Sequence, residues 1–135
     1  MEKVHVVTNE IVPRFGSVEV LGKAYPKEIN FAKELAAFGY DVTVRGKSAA
    51  GADLLVNGIQ WELKTLESAS VNAVRQNLRK GLKQGNGRMF IDGRDVGLSY
   101  GTAIKAIQYH YNAGRMKNAV EVRVLTRSGE YAWTL

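Results

Sequence analysis

The run Asp53-Leu-Leu-Val-Asn-Gly-Ile-Gln-Trp-Glu-Leu-Lys64 decides how the rest of the chain is read. Leu54 and Val56 precede Asn57-Gly58, and Ile59, Trp61 and Leu63 follow it, each apolar residue at alternate positions. An Asn-Gly pair between such runs marks a type I′ hairpin, whose two central residues both need positive φ. Strands are expected over 53–56 and 59–64. A two-residue turn pairs Val56 with Ile59, and counting outward sets Asp53 opposite Glu62, where Cβ atoms lie about 4.5–5.5 Å apart. Alternation then puts Lys64 on the face of Glu62. Leu54, Val56, Ile59, Trp61 and Leu63 take the other face, toward a core.

Two carboxylates opposed in a sheet repel one another unless something neutralises them. A divalent cation would do so, most simply Mg²⁺, with Mn²⁺ or Zn²⁺ as alternatives. Mg²⁺ accepts one or two carboxylates and leaves its other positions to water and substrate phosphate. It can polarise a phosphate and acidify a bound water, while Lys64 steadies charge on the attacked phosphorus. From the hairpin alone a plainer alternative stands beside this one. Lys64 pairs with Glu62 or Asp53 on a solvated face, as surface ion pairs commonly do.

Outward from the hairpin the pattern is regular. Residues 26–38 form a helix, with Pro26 at its first position, Gly39 past its end, and Ile29, Ala32, Leu35 and Ala36 as the buried stripe. Asp41 to Arg45 alternates as a strand. A second helix spans 70–84, with Val71, Val74, Leu78 and Leu82 inward and Ser68 or Ser70 as cap. Met89 to Ile91 is a short apolar strand ending at Asp92-Gly93. A third helix spans 99–113, with Ala103, Ile104, Ile107 and Tyr111 inward. Val120, Val122 and Val124 alternate before Ser128-Gly129 turns the chain into a last strand, 131–135. In the first 25 residues Val4, Val6, Val18 and Val20 suggest two short strands. The expected fold is α/β (α+β): a mixed sheet flanked by helices, with a β–α–β crossover from 59–64 to 88–92.

Bulk properties bound the function. The 135 residues suit one domain, 1–135, with 1–25 as an N-terminal extension of it. The absence of cysteine removes disulfides, thiolate zinc sites and cysteine nucleophiles. A net charge of +6 favours polyanionic partners. No apolar run suffices for a membrane-spanning segment, and the Met1-Glu-Lys-Val-His5 start lacks signal-peptide character. Either the chain is cytosolic or its export signal lies elsewhere.

Asp53, eight intervening residues and then Glu62-Leu-Lys64 resemble the motif of PD-(D/E)XK nucleases, metal-dependent phosphodiesterases with a core of helix, three strands, helix, strand. Residues 26–92 read in that order. Their first helix contributes a further acid about ten residues before its terminal glycine, which the resemblance assigns to Glu28, ahead of Gly39. Ala52 stands where that motif often has proline. The resemblance implies catalytic residues Glu28, Asp53, Glu62 and Lys64, the three acids holding the metal. Taken on its own, Glu28 is simply a favourable acid at a helix N-terminus; Glu34, the rival, lies about 240° round the helix from it.

The run Gly51-Ala-Asp-Leu-Leu-Val-Asn-Gly-Ile-Gln-Trp-Glu-Leu-Lys-Thr-Leu66, with Phe90-Ile-Asp-Gly-Arg-Asp-Val-Gly-Leu98, is similar to the C-terminal toxin domains of contact-dependent growth inhibition CdiA proteins. Several of these cleave tRNA. The resemblance covers 25–125. It implies export as part of a larger cell-surface protein, action in the cytoplasm of a rival bacterium, tRNA over DNA as substrate, and neutralisation by a cognate, acidic immunity protein.

From Ser68 to Ile91 no residue is acidic, while Arg75, Arg79, Lys80, Lys83 and Arg88 are basic. Arg75, Arg79 and Lys83 recur every four residues as one helical stripe, expected beside the Glu62–Lys64 strand and suited to phosphate contacts; a solvated face is the alternative. Arg94 reaches either a phosphate or the carboxylates of Asp92 or Asp95, and Gln84 resembles a glutamine that some of these nucleases keep at the end of the second helix. His5 and His110 would matter for metal-free RNA cleavage, but a lone histidine is more often structural. A DNA endonuclease of the restriction or repair type is the first rival reading. A non-catalytic nucleic-acid-binding domain, which would tolerate Asp53→Ala, is the second.

Overall fold

Asn57 and Gly58 have φ of 50° and 82°, the left-handed pair that a type I′ turn requires. The register is the expected one, Val56 facing Ile59 and Leu54 facing Trp61. A computed structural model describes residues 3–6, 15–46 and 52–135, the first four by backbone alone. Gly51, at the start of the second quoted run, and the side chain of His5 lie outside the described residues.

In chain order the elements are β1 (Lys3–Val6), β2 (Val18–Val20), α1 (Pro26–Ala37), β3 (Val42–Val44), β4 (Leu54–Val56), β5 (Ile59–Thr65), α2 (Val71–Gln84), β6 (Arg88–Asp92), α3 (Tyr100–Asn112), β7 (Glu121–Thr126) and β8 (Gly129–Thr134). The strands make one eight-stranded sheet, ordered β1-β8-β7-β6-β5-β4-β3-β2. β5, β6 and β7 run parallel, joined by α2 and α3, and the hairpins β4–β5 and β7–β8 are antiparallel. From α1 to β6 the order is helix, three strands, helix, strand, as expected.

Each face of the sheet has its own core. Phe31, Ala32 and Leu35 of α1 pack on Val42, Val44, Leu54, Trp61, Leu63 and Phe90. Trp61 stacks on Phe90 at 4.5 Å between ring centroids, and Phe31 meets the same ring edge-on at 4.9 Å. The other face carries Val74 and Leu78 of α2 and Ala103, Ala106 and Ile107 of α3 over Met89, Ile91, Val122, Val124 and Trp133. The parallel register Glu62↔Met89, Lys64↔Ile91 puts Glu62 and Lys64 on this second face, under α2.

Three expectations shift. Ile59, beside the turn, stays 47% exposed, because the hairpin tip runs past the apolar cluster. The stripe of α1 is centred on Phe31 where Ile29 was expected, so Glu28, at i−4 and i−7 from Ala32 and Leu35, falls on the buried side. In α3 the inward position is taken by His110, one residue before the exposed Tyr111.

Candidate active site

β4 and β5 pair through Leu54 and Trp61, and then part. At the next step side chains replace the backbone ladder. The Asp53 N–H donates to Glu62 Oε1 at 3.0 Å, and the Leu63 N–H donates to Asp53 Oδ2 at 3.3 Å. Asp53 still belongs to the neighbouring strand through its carbonyl, which accepts from the Arg45 N–H at 2.9 Å. β5 meanwhile continues along β6 from Glu62 to Thr65. Glu62 therefore sits where the sheet opens, and Asp53 and Glu62 each hold the other's strand through a backbone N–H. The expected juxtaposition is met, with carboxylates doing the pairing that backbone carbonyls would otherwise do.

Glu62 is only 2% exposed, and its Oε2 lies 3.1 Å from Lys64 Nζ. α2 closes over both residues because it has glycine where a side chain would collide. A Cβ on Gly85 would strike the Arg88 carbonyl and come within 3.0 Å of Glu62 Cβ; one on Gly81 would strike the Met89 side chain and meet the Lys64 stem at 3.4 Å. Glu28 approaches from the first turn of α1, where its Oε1 accepts the Tyr25 N–H at 3.1 Å, a helix-capping contact.

Asp53 is the common neighbour of the two glutamates. Burial first, and then the hydrogen bond and charge of Asp53, push the Glu62 carboxyl up to about 7, with Lys64 pulling the other way. Burial also raises Glu28, opposed by the Tyr25 N–H and reinforced by Asp53. Three acids thus gather near one lysine, with both glutamates buried, an arrangement short of positive charge. Among the described residues no three such groups already surround one point as a finished metal cage. A hard cation that needs one or two carboxylates and fills its remaining positions with water or phosphate fits this all-oxygen donor set. Asp53 and Glu62 would hold it first, with Glu28 beside them.

The four residues named for catalysis are therefore brought together, and the basic residues are not beside them. Arg79 lies about 160° round α2 from Gly81. With Arg75 and Lys83 it faces α3 and the segment after it, lining cavities there with Arg115. The expectation that this stripe adjoins the Glu62–Lys64 strand is corrected: Val74, Leu78 and Gly81 face the sheet, which turns the long cations to the other flank. Arg94 is occupied by carboxylates, Asp92 at 2.8 Å and Glu34 at 2.9 Å, and not by Asp95. It borders a cavity of about 370 Å³ that Lys27, Leu63 and Thr65 also line, next to the acidic cluster. Gln84, at the end of α2, is exposed. Arg115 was not singled out; it lies in a short loop with no periodicity to mark it.

The family model described as the contact-dependent growth inhibition CdiA C-terminal domain matches residues 51–131, more than half of the chain. No curated protein matches it significantly. The fold is similar to that of a solved chain in the CdiA-CT/CdiI toxin and immunity complex from Burkholderia pseudomallei, with a TM-score of 0.65 and 17% identity, over 89% of this chain and 100% of that one. No helix among the described residues is long and apolar enough to cross a membrane. The chain belongs to the family of CdiA C-terminal domains, the toxin domains of contact-dependent growth inhibition.

Proposed function

We propose that this domain is a metal-dependent endonuclease of the PD-(D/E)XK type that cuts phosphodiester bonds in tRNA inside the rival cell. The observation that carries the reading is Asp53 set between Glu28 and Glu62, with Lys64 at 3.1 Å from Glu62. A bound Mg²⁺ would polarise a phosphate oxygen and lower the pKa of a coordinated water. The chain's own groups prepare the place. Backbone N–H groups fix one oxygen each of Asp53, Glu62 and Glu28, which sets the carboxylate planes before any ligand arrives. Glu62 holds Lys64 in the cleft, so a positive charge stands ready where negative charge gathers on the attacked phosphate. Because Glu62 is pushed up to about 7, it must lose a proton before it can serve as a ligand, and activity should rise with pH through that range.

The preference for tRNA over DNA rests on the likeness to tRNA-cleaving growth-inhibition toxins; the net charge of +6 suits either polyanion. The Burkholderia pseudomallei chain is in complex with an immunity protein, which supports a cognate immunity protein here, acidic to suit a basic toxin. Membership of the CdiA C-terminal domains supports delivery as part of a larger cell-surface protein. Incubating the protein with total tRNA and with plasmid, each with and without chelator, tests the reading. Metal-dependent cutting of tRNA alone is expected. Cutting of plasmid alone would make it a DNA endonuclease, and cutting of neither would leave a binding domain.

A further inference from the structure

The far flank of α2 holds a second constellation. His110 is 3% exposed, and its Nδ1, like Arg75 Nε, is buried with no hydrogen-bond partner among the described residues. Both residues line a cavity of about 210 Å³ together with Asn72, Gln76, Arg79 and Arg115. A neighbouring cavity of about 510 Å³ shares Arg79 and Arg115 and adds Lys83 and Lys117. Among the described residues none of these cations forms an ion pair with a carboxylate. Arg75 is braced instead over the Tyr109 ring at 5.6 Å. Three guanidinium groups, two amide side chains and a buried imidazole around one small cavity make a set rich in donors and free of acids. Such a set suits an oxyanion, and arginine in particular suits phosphate.

We propose that this pocket binds a backbone phosphate of the nucleic acid, with Arg75, Arg79 and Arg115 as the cationic walls and His110 as the buried donor. The adjoining cavity would carry the strand onward past Lys83 and Lys117. The anion site stands on the pocket itself; only its assignment to a nucleic-acid strand rests on the nuclease reading. The charged groups acting on His110 are Arg75 and Arg79 from α2 and Arg115 from the segment after α3, and burial comes first in keeping its pKa below the usual value. A bound anion reverses the local potential, so His110 takes up a proton on binding, and binding strengthens as pH falls.

The test uses the Asp53→Asn variant under chelator, which makes it independent of cleavage. Sulfate, whose charge is constant near neutral pH, is titrated while the imidazole resonances of His110 are followed by NMR. Total tRNA is then added as competitor. Saturable shifts, a raised His110 pKa and displacement of sulfate by tRNA are expected. Arg115→Gln, a change at an exposed position, should weaken sulfate binding about tenfold and lower the salt slope of tRNA binding by about one. In the cleavage-competent protein it should raise KM more than it lowers kcat. His110 resonances indifferent to sulfate would overturn the site. Sulfate binding that tRNA does not displace, or an Arg115→Gln effect confined to the immunity-protein complex, would overturn its assignment to nucleic acid. Loss of the nuclease reading alone would show as tRNA that binds this pocket yet is not cut by the unsubstituted protein supplied with Mg²⁺ or Mn²⁺.

Discussion

On one flank of α2, Glu62 is buried and Asp53 half-buried, and backbone N–H groups hold both in place. On the other, Arg79, Lys83 and Arg115 are exposed, and among the described residues no carboxylate fixes them. Both flanks concentrate one sign of charge. The acidic flank does so against desolvation, which is visible in the carboxyl of Glu62 pushed up to about 7. The basic flank largely keeps its solvent and has only His110 and part of Arg75 buried. Rigid, costly placement suits groups that must meet a reacting atom, whereas exposed cations suit the steering and holding of a long polyanion. The same division separates two kinds of experimental failure, loss of turnover and loss of affinity.

The sharpest break should come from the acids. On the proposed reading Asp53→Ala or Glu62→Ala should lower cleavage by at least about a hundredfold, since each would remove a metal ligand and not merely its support. Affinity for tRNA under chelator should stay intact or rise slightly. Single-turnover cleavage beside filter binding checks both halves, and near wild-type cutting by either variant would remove this site from consideration.

The next effect is on stability. A carboxyl near 7 in place of its ordinary 4.5 favours the folded state while protonated, so its contribution is fully present below about 4.5 and is lost as pH rises through about 7. Metal-free Glu62→Gln should therefore be more stable than wild type above pH 7, by up to about 3 kcal/mol, and nearly equal to it below about pH 5. Urea unfolding at pH 5 and pH 8 reads this directly. A difference independent of pH would mean that Glu62 is not desolvated.

Much of the acidic flank was legible in the sequence, because a two-residue Asn-Gly turn leaves one register and period-two alternation assigns the faces. Even so, the parting of β4 and β5 at Asp53 was not. It follows from β5 changing its partner from β4 to β6, a tertiary choice. Glu28 was reached by resemblance, although the spacing Glu28, Phe31, Ala32, Leu35 already put it on the buried stripe. The basic flank was legible in composition but not in direction. The predicted stripe of Val74 and Leu78 does meet the sheet; what it did not give was how closely Glu62 and Lys64 come to α2 at Gly81 and Gly85, which leave room for them. His110 looked isolated because its neighbours come from α2 and from a loop with no pattern of its own.

Smaller effects sharpen the contrast. Charge reversal at Arg75, Arg79 and Lys83 together should weaken tRNA binding by at least about tenfold and reduce the salt slope by roughly three, with a lesser effect on turnover at saturating substrate. An unchanged slope would make the stripe a solvated surface. Arg94→Ala should cost about 1 kcal/mol or less in thermal unfolding, because Arg94 and Glu34 are exposed and only Asp92 is partly buried. A marked rise in KM from that change would show that a phosphate displaces those carboxylates in the complex.

Binding of a divalent cation at the parting of β4 and β5 is the most direct test. Calorimetric titration with Mn²⁺ should show one site at pH 8, weakened at pH 5.5 where Glu62 holds its proton, and absent in Asp53→Asn at either pH. Equal binding by wild type and Asp53→Asn, or no binding by wild type at pH 8, would contradict the account.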